Sequence, residues 1–194
     1  MARTKEFDEK AVLNKAVDLF WMKGYHATSA QDLVDGLGIS RSSLYDTYSD
    51  KHSLFVKALQ QYRKERIDEV IQTLNKTEDA EEYIKYLFNY IKTEAIEDKV
   101  CKGCFMVNST IELAPVDKEI AVIVNSIMQD FEDALCKAVR KGQDAGVFTT
   151  KHSARSLARF LYNSINGLRV TVKSGAGKKV FDDIVNVSLS VLKQ

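Results

Sequence analysis

The side chains best suited to chemistry fall in two places, a polar run at residues 40–45 (SRSSLY) and the cysteine pair Cys101 and Cys104. The run combines short hydroxyls with one guanidinium, groups that approach phosphates and base edges in the major groove of duplex DNA. Helical spacing puts Leu44 and Tyr48 on the opposite, buried side. The run therefore predicts a small polar surface that reads DNA.

The spacing Cys101-Lys102-Gly103-Cys104 is compatible with half of a zinc site, with a redox pair or with a structural role. Zinc requires two further ligands, and the three histidines of the chain lie far away without partner spacing, so no metal site is expected. A thiol sensor remains open, because Lys102 would favour a neighbouring thiolate. The alternative is that Cys104 is buried as a small apolar side chain.

No catalytic arrangement is recognisable in the sequence. Neither a serine nor a cysteine has a nucleophile motif around it, and the histidines lie in or near the predicted DNA-binding segment or at a helix start. The run at residues 175–179 (GAGKK) superficially resembles a phosphate loop, but Val172 and Lys179 stand where glycine and Ser or Thr are required. We therefore expect neither enzymatic activity nor a cofactor. A pure ligand carrier would leave the polar run unexplained.

Composition favours a mostly α-helical protein, because a chain of 194 residues with one proline and nine glycines contains few helix breakers. Lys and Arg number 28 against 27 Asp and Glu, a net charge of +1, so charge alone gives no support to DNA binding. Any such binding must use a few placed cations and backbone amides. We expect no membrane span, because no apolar run is long enough, and no secretory leader, because residues 1–6 (MARTKE) lead into an amphipathic stretch. We expect a cytoplasmic protein with reduced thiols.

Hydrophobic periodicity predicts nine helices and no strand, an all-α fold. Two short helices, one capped by Thr28-Ser29 and one over Arg41 to about Thr47, are joined by a turn containing Gly36 and Gly38. Amphipathic helices flank them, so the arrangement is a helix-turn-helix, although short helix pairs also occur in many other all-α proteins. The predicted helices cover about 7–23, 28–35, 41–47, 51–74, 80–96, 104–113, 117–142, 150–172 and 178–192. We predict a DNA-binding domain at 1–50 and a second domain at 51–194, with 51–74 as the linking helix.

The N-terminal 60 residues resemble the TetR family of transcriptional regulators. The resemblance rests on residues 24–29 (GYHATS), Asp32-Leu33, residues 38–45 (GISRSSLY), Tyr48 and residues 51–55 (KHSLF). The remainder is similar only in length and in helix number and placement. The resemblance implies a ligand-responsive regulator, a repressor released from double-stranded operator DNA by a small molecule. Sensing through Cys101 and Cys104 is the alternative.

The resemblance also implies roles for individual residues. Phosphate or major-groove contacts are expected from Thr28, Ser29, Arg41, Ser42, Ser43, Tyr45, Thr47 and Lys51. Asp46-Thr47 departs from the family pattern, which often has an aromatic or histidine pair there, so base preference is not predicted.

Dimerisation and ligand binding are expected in the rest of the chain. One small module spans one major groove, so a homodimer is needed, formed by the last two helices at about 151–172 and 178–192. Apolar stripes follow both, although such a stripe also fits packing within one subunit. A pocket for an unidentified effector is expected in the middle of the chain, with Phe105, Asn108 and Tyr162 selected from a mixed aromatic and polar set.

Overall fold

Residues 7–193 are described by the computed structural model and fold into ten α-helices with no β-strand among them. The all-α prediction is confirmed, while residues 1–6 and 194 of the predicted domains lie outside the described part. The helices are α1 (Glu9–Lys23), α2 (Ala30–Leu37), α3 (Arg41–Tyr48), α4 (Lys51–Arg66), α5 (Asp68–Lys76), α6 (Ala80–Glu97), α7 (Phe105–Glu112), α8 (Lys118–Asp144), α9 (Ala154–Thr171) and α10 (Lys178–Ser190). A short 3-10 turn, Val172–Ser174, follows α9.

Local signals fix the short helices at the N-terminus. α1 ends at Gly24, which adopts φ +83°. Ser29 and Asp32 form a capping box at the start of α2, in which the Asp32 N–H donates to the Ser29 hydroxyl at 3.1 Å and the Ser29 N–H donates to the Asp32 carboxylate at 2.8 Å. The Ser40 hydroxyl caps α3 by accepting from the Ser43 N–H at 3.1 Å. Side-chain caps at Ser29 and Ser40 therefore determine where the two short helices of the helix-turn-helix begin.

The predicted helix over 51–74 is interrupted at Ile67 and forms α4 and α5. Ile67 is buried, and its backbone stays near the α region at φ −112°, ψ −44°. Arg63 spans the bend by donating to Asp68 at 3.2 Å and to Asp130 on α8. No glycine or proline marks the bend, so the sequence pattern predicts one continuous helix there. The bend places α5 against α8.

An aromatic core joins the N-terminal helices to the remainder. The ring centroids of Phe20 and Phe55 are 5.0 Å apart, those of Phe55 and Phe105 are 5.4 Å apart, and those of Tyr62 and Phe105 are 5.6 Å apart. These edge-to-face contacts pack α1 and α4 against α7. In the remainder, α8 packs against α5 and α9, and α6 packs against α9 and α10. Within residues 7–193 no helix is long and apolar enough to span a bilayer.

The last two helices differ in where their apolar stripes point. The α9 stripe singled out by periodicity is buried inside the subunit, so for α9 the interpretation as an intersubunit stripe is wrong. Its members are Ala158, Leu161, Ile165, Leu168 and Val172. On α10 the predicted stripe faces outwards, since Val180 and Val187 are 43% and 64% exposed and Ile184 and Val191 are half-buried. The free face of α9 carries Phe160, 43% exposed, with small and polar residues after it.

Candidate DNA-binding surface and central cavity

One side of α3 holds the helix in the core and the other presents polar groups. Leu44 and Tyr48 are each 2% exposed, as the pattern predicted. Arg41 and Ser42 are exposed on the opposite side, and the Arg41 guanidinium lies 5.9 Å from the centroid of the Tyr45 ring. The exposed side of α3 is a polar strip one helix wide, suited to a groove of duplex DNA.

Carboxylates and hydroxyls already occupy the starts of the helices beside this strip. The Ser29 hydroxyl donates to Asp32 at 2.7 Å, and Lys23 pairs with the same carboxylate at 2.6 Å. These partners, Lys23 first and then Ser29, hold the pKa of Asp32 well below its usual range. Asp50 accepts from the Ser53 N–H at 2.7 Å at the start of α4. A phosphate would therefore meet Ser29 within a formed cap.

Thr28 and Lys51 are tied to each other. Thr28 is fully buried, and its hydroxyl donates to the Gly24 carbonyl at 2.6 Å. The Lys51 ammonium donates to the Thr28 carbonyl at 2.6 Å and lies 4.3 Å from the centroid of the Tyr25 ring. Burial lowers the pKa of Lys51, and the nearby Glu112 carboxylate opposes that shift. Lys51 thus joins α4 to the turn before α2.

A cavity of about 280 Å³ lies in the middle of the subunit between α1 and helices α4 to α9. Its walls mix aromatic rings with charged groups, which suits a small organic molecule. Aromatic residues that line it are Trp21, Tyr62, Tyr90, Phe131 and Tyr162, and charged ones are Arg66, Glu94, Glu97, Asp98, Lys102 and Arg169.

Glu94 is the charged centre of this cavity. Its carboxylate pairs with Arg169 at 2.8 Å and with Arg66 at 3.8 Å, and it accepts the Tyr90 hydroxyl at 2.9 Å. Burial disfavours the charged form of Arg169, but the neighbouring Cys104, Tyr62 and Glu94 outweigh it and raise the pKa of the guanidinium. A permanent positive charge therefore borders the cavity.

A cysteine forms another part of the cavity wall. Cys104 is 7% exposed, and its sulfur lies 3.4 Å from the Tyr62 hydroxyl oxygen. Burial and this cysteine raise the pKa of Tyr62 far above its usual value. Cys101 does not line the cavity and adopts a left-handed backbone conformation at φ +52°. Both thiols are free.

Comparison with known proteins identifies the family. The model of "Bacterial regulatory proteins, tetR family" matches residues 12–58, and that of a tetracycline-repressor-like C-terminal domain matches residues 80–180. The chain is 36% identical over 193 residues to the uncharacterised HTH-type transcriptional regulator YezE of Bacillus subtilis (strain 168), covering 99% of this chain and 100% of the relative. This chain belongs to the TetR family. It is also 29% identical over 188 residues to the HTH-type transcriptional repressor ComR of Escherichia coli (strain K12), covering 96% and 90% of the two chains.

A solved TetR-family structure has the same fold. It is a cysteine mutant of the regulator CifR in complex with a 26-base-pair double-strand operator DNA, at a TM-score of 0.85 and 22% identity, covering 98% of this chain and 100% of that one. As a TetR-family member, this chain is a helix-turn-helix transcriptional regulator, and the family is one of DNA-binding regulators.

The structure separates the predicted TetR-type DNA contacts into two groups. The polar strip and its flanks carry Arg41, Ser42, Ser43, Tyr45, Thr47 and Ser29, all exposed or half-buried. Thr28 is instead an interior residue, and Lys51 is engaged inside the subunit. A phosphate contact from the Thr28 hydroxyl does not fit this conformation, because that group is buried and already donates to Gly24.

The predicted pocket residues separate in the same way. Tyr162 lines the cavity, whereas Phe105 does not, because its ring fills the aromatic core under α7. Asn108 lies in a separate groove between α1, α7 and α9, and its amide donates to the Lys102 carbonyl at 2.9 Å. Sequence reasoning missed Trp21, Glu94 and Arg169. Only Trp21, the one tryptophan of the chain, carries a signal that could have drawn attention.

Proposed function

We propose that this protein is a homodimeric repressor that binds double-stranded operator DNA through α3 and releases it when a small molecule enters the central cavity. The observation that carries the proposal is the polar strip of α3, held by a buried Leu44 and Tyr48 with Arg41 directed away from the core. The complex of CifR with operator DNA, on the same fold, supports this assignment. The repressors among the relatives favour repression over activation.

Dimerisation through α9 and α10 is supported by the apolar residues that a single subunit leaves uncovered. Val180, Val187 and Phe160 are each more than 40% exposed. A second copy would cover these faces as a four-helix bundle, and the pairing would hold two α3 helices for major grooves about 34 Å apart along the duplex. An effector that shifts the dimer between two geometries would change that separation and release the operator.

The test begins with selection of bound duplexes from a random DNA pool, followed by affinity titration of the selected operator. Arg41→Ala should weaken binding by about 1–3 kcal/mol, which is about fivefold to 150-fold. Arg140→Ala is the matched control, since Arg140 is an exposed arginine on α8. Unchanged affinity of Arg41→Ala would show that the recognition helix is elsewhere.

Thiol sensing is a second candidate, supported by the position of Cys104 in the cavity wall beside Tyr62. Peroxide would oxidise the thiol to a sulfenic acid with release of water, and a quinone would add to the sulfur and place the thiol proton on its own oxygen. Either change would fill space next to Arg169. The double variant Cys101→Ser/Cys104→Ser should keep its operator after treatment with peroxide or a quinone. Release equal to that of the unmodified sequence would end this candidate.

A further inference from the structure

Glu112, the last residue of α7, holds the turn between α1 and α2. One carboxylate oxygen accepts the Tyr25 N–H at 3.0 Å and the other accepts the His26 N–H at 2.7 Å. These residues lie 87 and 86 positions earlier in the chain. Two charge-assisted hydrogen bonds from one carboxylate fix the direction in which the chain leaves α1.

The turn is shaped to receive this carboxylate. A side chain at Gly24 would place its Cβ 2.9 Å from a Glu112 oxygen, and the φ of +83° at Gly24 is itself unfavourable for other residues. The turn leads within a few residues to Ser29, which caps α2 and so sets where the helix-turn-helix begins. Movement of Glu112 would thus displace the start of the helix-turn-helix.

The other end of α7 borders the cavity. Cys104, the residue before α7, lines the cavity, and so does Met106 in its first turn. α7 contains eight residues and is therefore about 12 Å long, and it connects the cavity wall to Glu112.

The segment before α7 also contacts α1 through the Trp21 side chain. The indole N–H of Trp21 donates to the Gly103 carbonyl at 3.1 Å, and the Lys102 ammonium lies 3.9 Å from the centroid of the Trp21 ring. Trp21 is itself part of the cavity wall and precedes Gly24 by less than one helical turn. The C-terminal end of α1 is therefore held from two sides, by the cavity wall and by Glu112.

We propose that Glu112 is a positioning residue, through which α7 transmits displacement of the cavity wall to the helix-turn-helix. This role rests on the proposed DNA-binding function and assigns one side chain, Glu112, to the link between its two sites. Coupling between two sites is reciprocal, so operator binding must in turn alter the cavity wall. That reciprocity allows a test in which operator DNA is the probe and no effector is needed.

The test compares Glu112→Ala and Glu112→Gln with Glu82→Ala, a control at an exposed glutamate of α6. Amide hydrogen exchange at Tyr25 and His26 should rise about tenfold in Glu112→Ala, less in Glu112→Gln because one acceptor oxygen remains, and not at all in the control. Wild-type exchange in Glu112→Ala would show that the carboxylate does not hold the turn and would overturn the proposal.

The second measurement is acrylamide quenching of Trp21 fluorescence with and without the selected operator at saturation. Operator should change the quenching constant of the unmodified protein and of Glu82→Ala, and the change should be lost in Glu112→Ala. If Glu112 only stabilised the fold, Glu112→Ala would lower the unfolding temperature and leave the Trp21 response of the operator-bound protein intact. If Glu112→Ala binds operator and keeps the full Trp21 response, this inference falls while the proposed function stands. If the unmodified protein binds no duplex, both fall.

Discussion

Replacing Arg169 by methionine tests whether the charged centre of the cavity stabilises the fold. Methionine keeps most of the volume and removes the guanidinium that lies 2.8 Å from the Glu94 carboxylate. The Arg169 side chain is 19% exposed and that of Glu94 is 32% exposed, so both charges are largely removed from water.

The expected loss in the free energy of unfolding lies between the values for a fully buried ion pair and for an exposed one. Removing one partner of a fully buried pair costs about 3–5 kcal/mol, because the other charge is left uncompensated. Glu94 would still keep the Tyr90 hydroxyl at 2.9 Å and Arg66 at 3.8 Å, which lessens the cost. We expect the free energy of unfolding of Arg169→Met to fall by about 2 kcal/mol.

Arg66→Met is the matched control, because Arg66 pairs with the same carboxylate but its side chain is 55% exposed. An exposed pair contributes about 0–1 kcal/mol. The assay is urea unfolding followed by circular dichroism at pH 7, at one fixed protein concentration since association adds to apparent stability. In Glu94→Gln/Arg169→Met the combined loss should be smaller than the sum of the single losses. A loss for Arg169→Met no larger than that for Arg66→Met would refute the reasoning.

Three further outcomes follow from single contacts. Val187→Glu should convert the dimer to monomers in a sedimentation experiment, because Val187 lies on the outward α10 stripe. Val122→Glu, at a similarly exposed valine of α8, should leave the dimer intact. Equal effects of the two substitutions would place the interface elsewhere. Gly142→Ala should lower stability by about 1–3 kcal/mol in urea unfolding, since the new methyl carbon would lie 2.1 Å from the Phe148 ring and the ring must move; a gain from helix propensity alone would contradict this. Burial raises the pKa of Tyr48 to about 12, so its neutral form stabilises the fold at lower pH and that stability is lost as pH rises from the unfolded value near 10 towards 12. Tyr48→Phe should leave the free energy of unfolding nearly unchanged at pH 7, because the buried hydroxyl has no hydrogen-bond partner among the described residues. At alkaline pH the variant should lose less stability than the unmodified protein. Parallel profiles of stability against pH would exclude Tyr48 as the cause.

Caps and turns in the first 50 residues could be predicted because each depends on residues a few positions apart. Ser29 with Asp32 and Ser40 with Ser43 form their bonds within one helical turn. The exception is Thr28, which was expected at the surface and is buried. The sequence does not distinguish a hydroxyl that donates to a carbonyl of its own turn, as that of Thr28 does, from one that is available to a ligand.

Contacts between distant segments could not be predicted. Glu94 and Arg169 meet across α6 and α9, and each alone reads as an ordinary surface charge on an amphipathic helix. The stripe on α9 was assigned to the wrong partner, since periodicity identifies an apolar face but not whether the covering surface belongs to the same subunit. Tertiary packing decides both questions.

Residues 1–51 contain seven Lys and Arg against eight Asp and Glu, so the DNA-binding part of the chain is nearly neutral. Lys15 donates to the Leu37 carbonyl at 3.4 Å, Lys23 pairs with Asp32 at 2.6 Å, and Lys51 donates to the Thr28 carbonyl at 2.6 Å. Because these cations are balanced by a similar number of carboxylates, the long-range positive field is weak, and we expect operator affinity to come mainly from hydrogen bonds at short range. Such bonds weaken steeply with distance and angle, whereas a broad positive field would tolerate small displacements. A regulator that binds in this way can therefore be released by a small shift of its recognition helices.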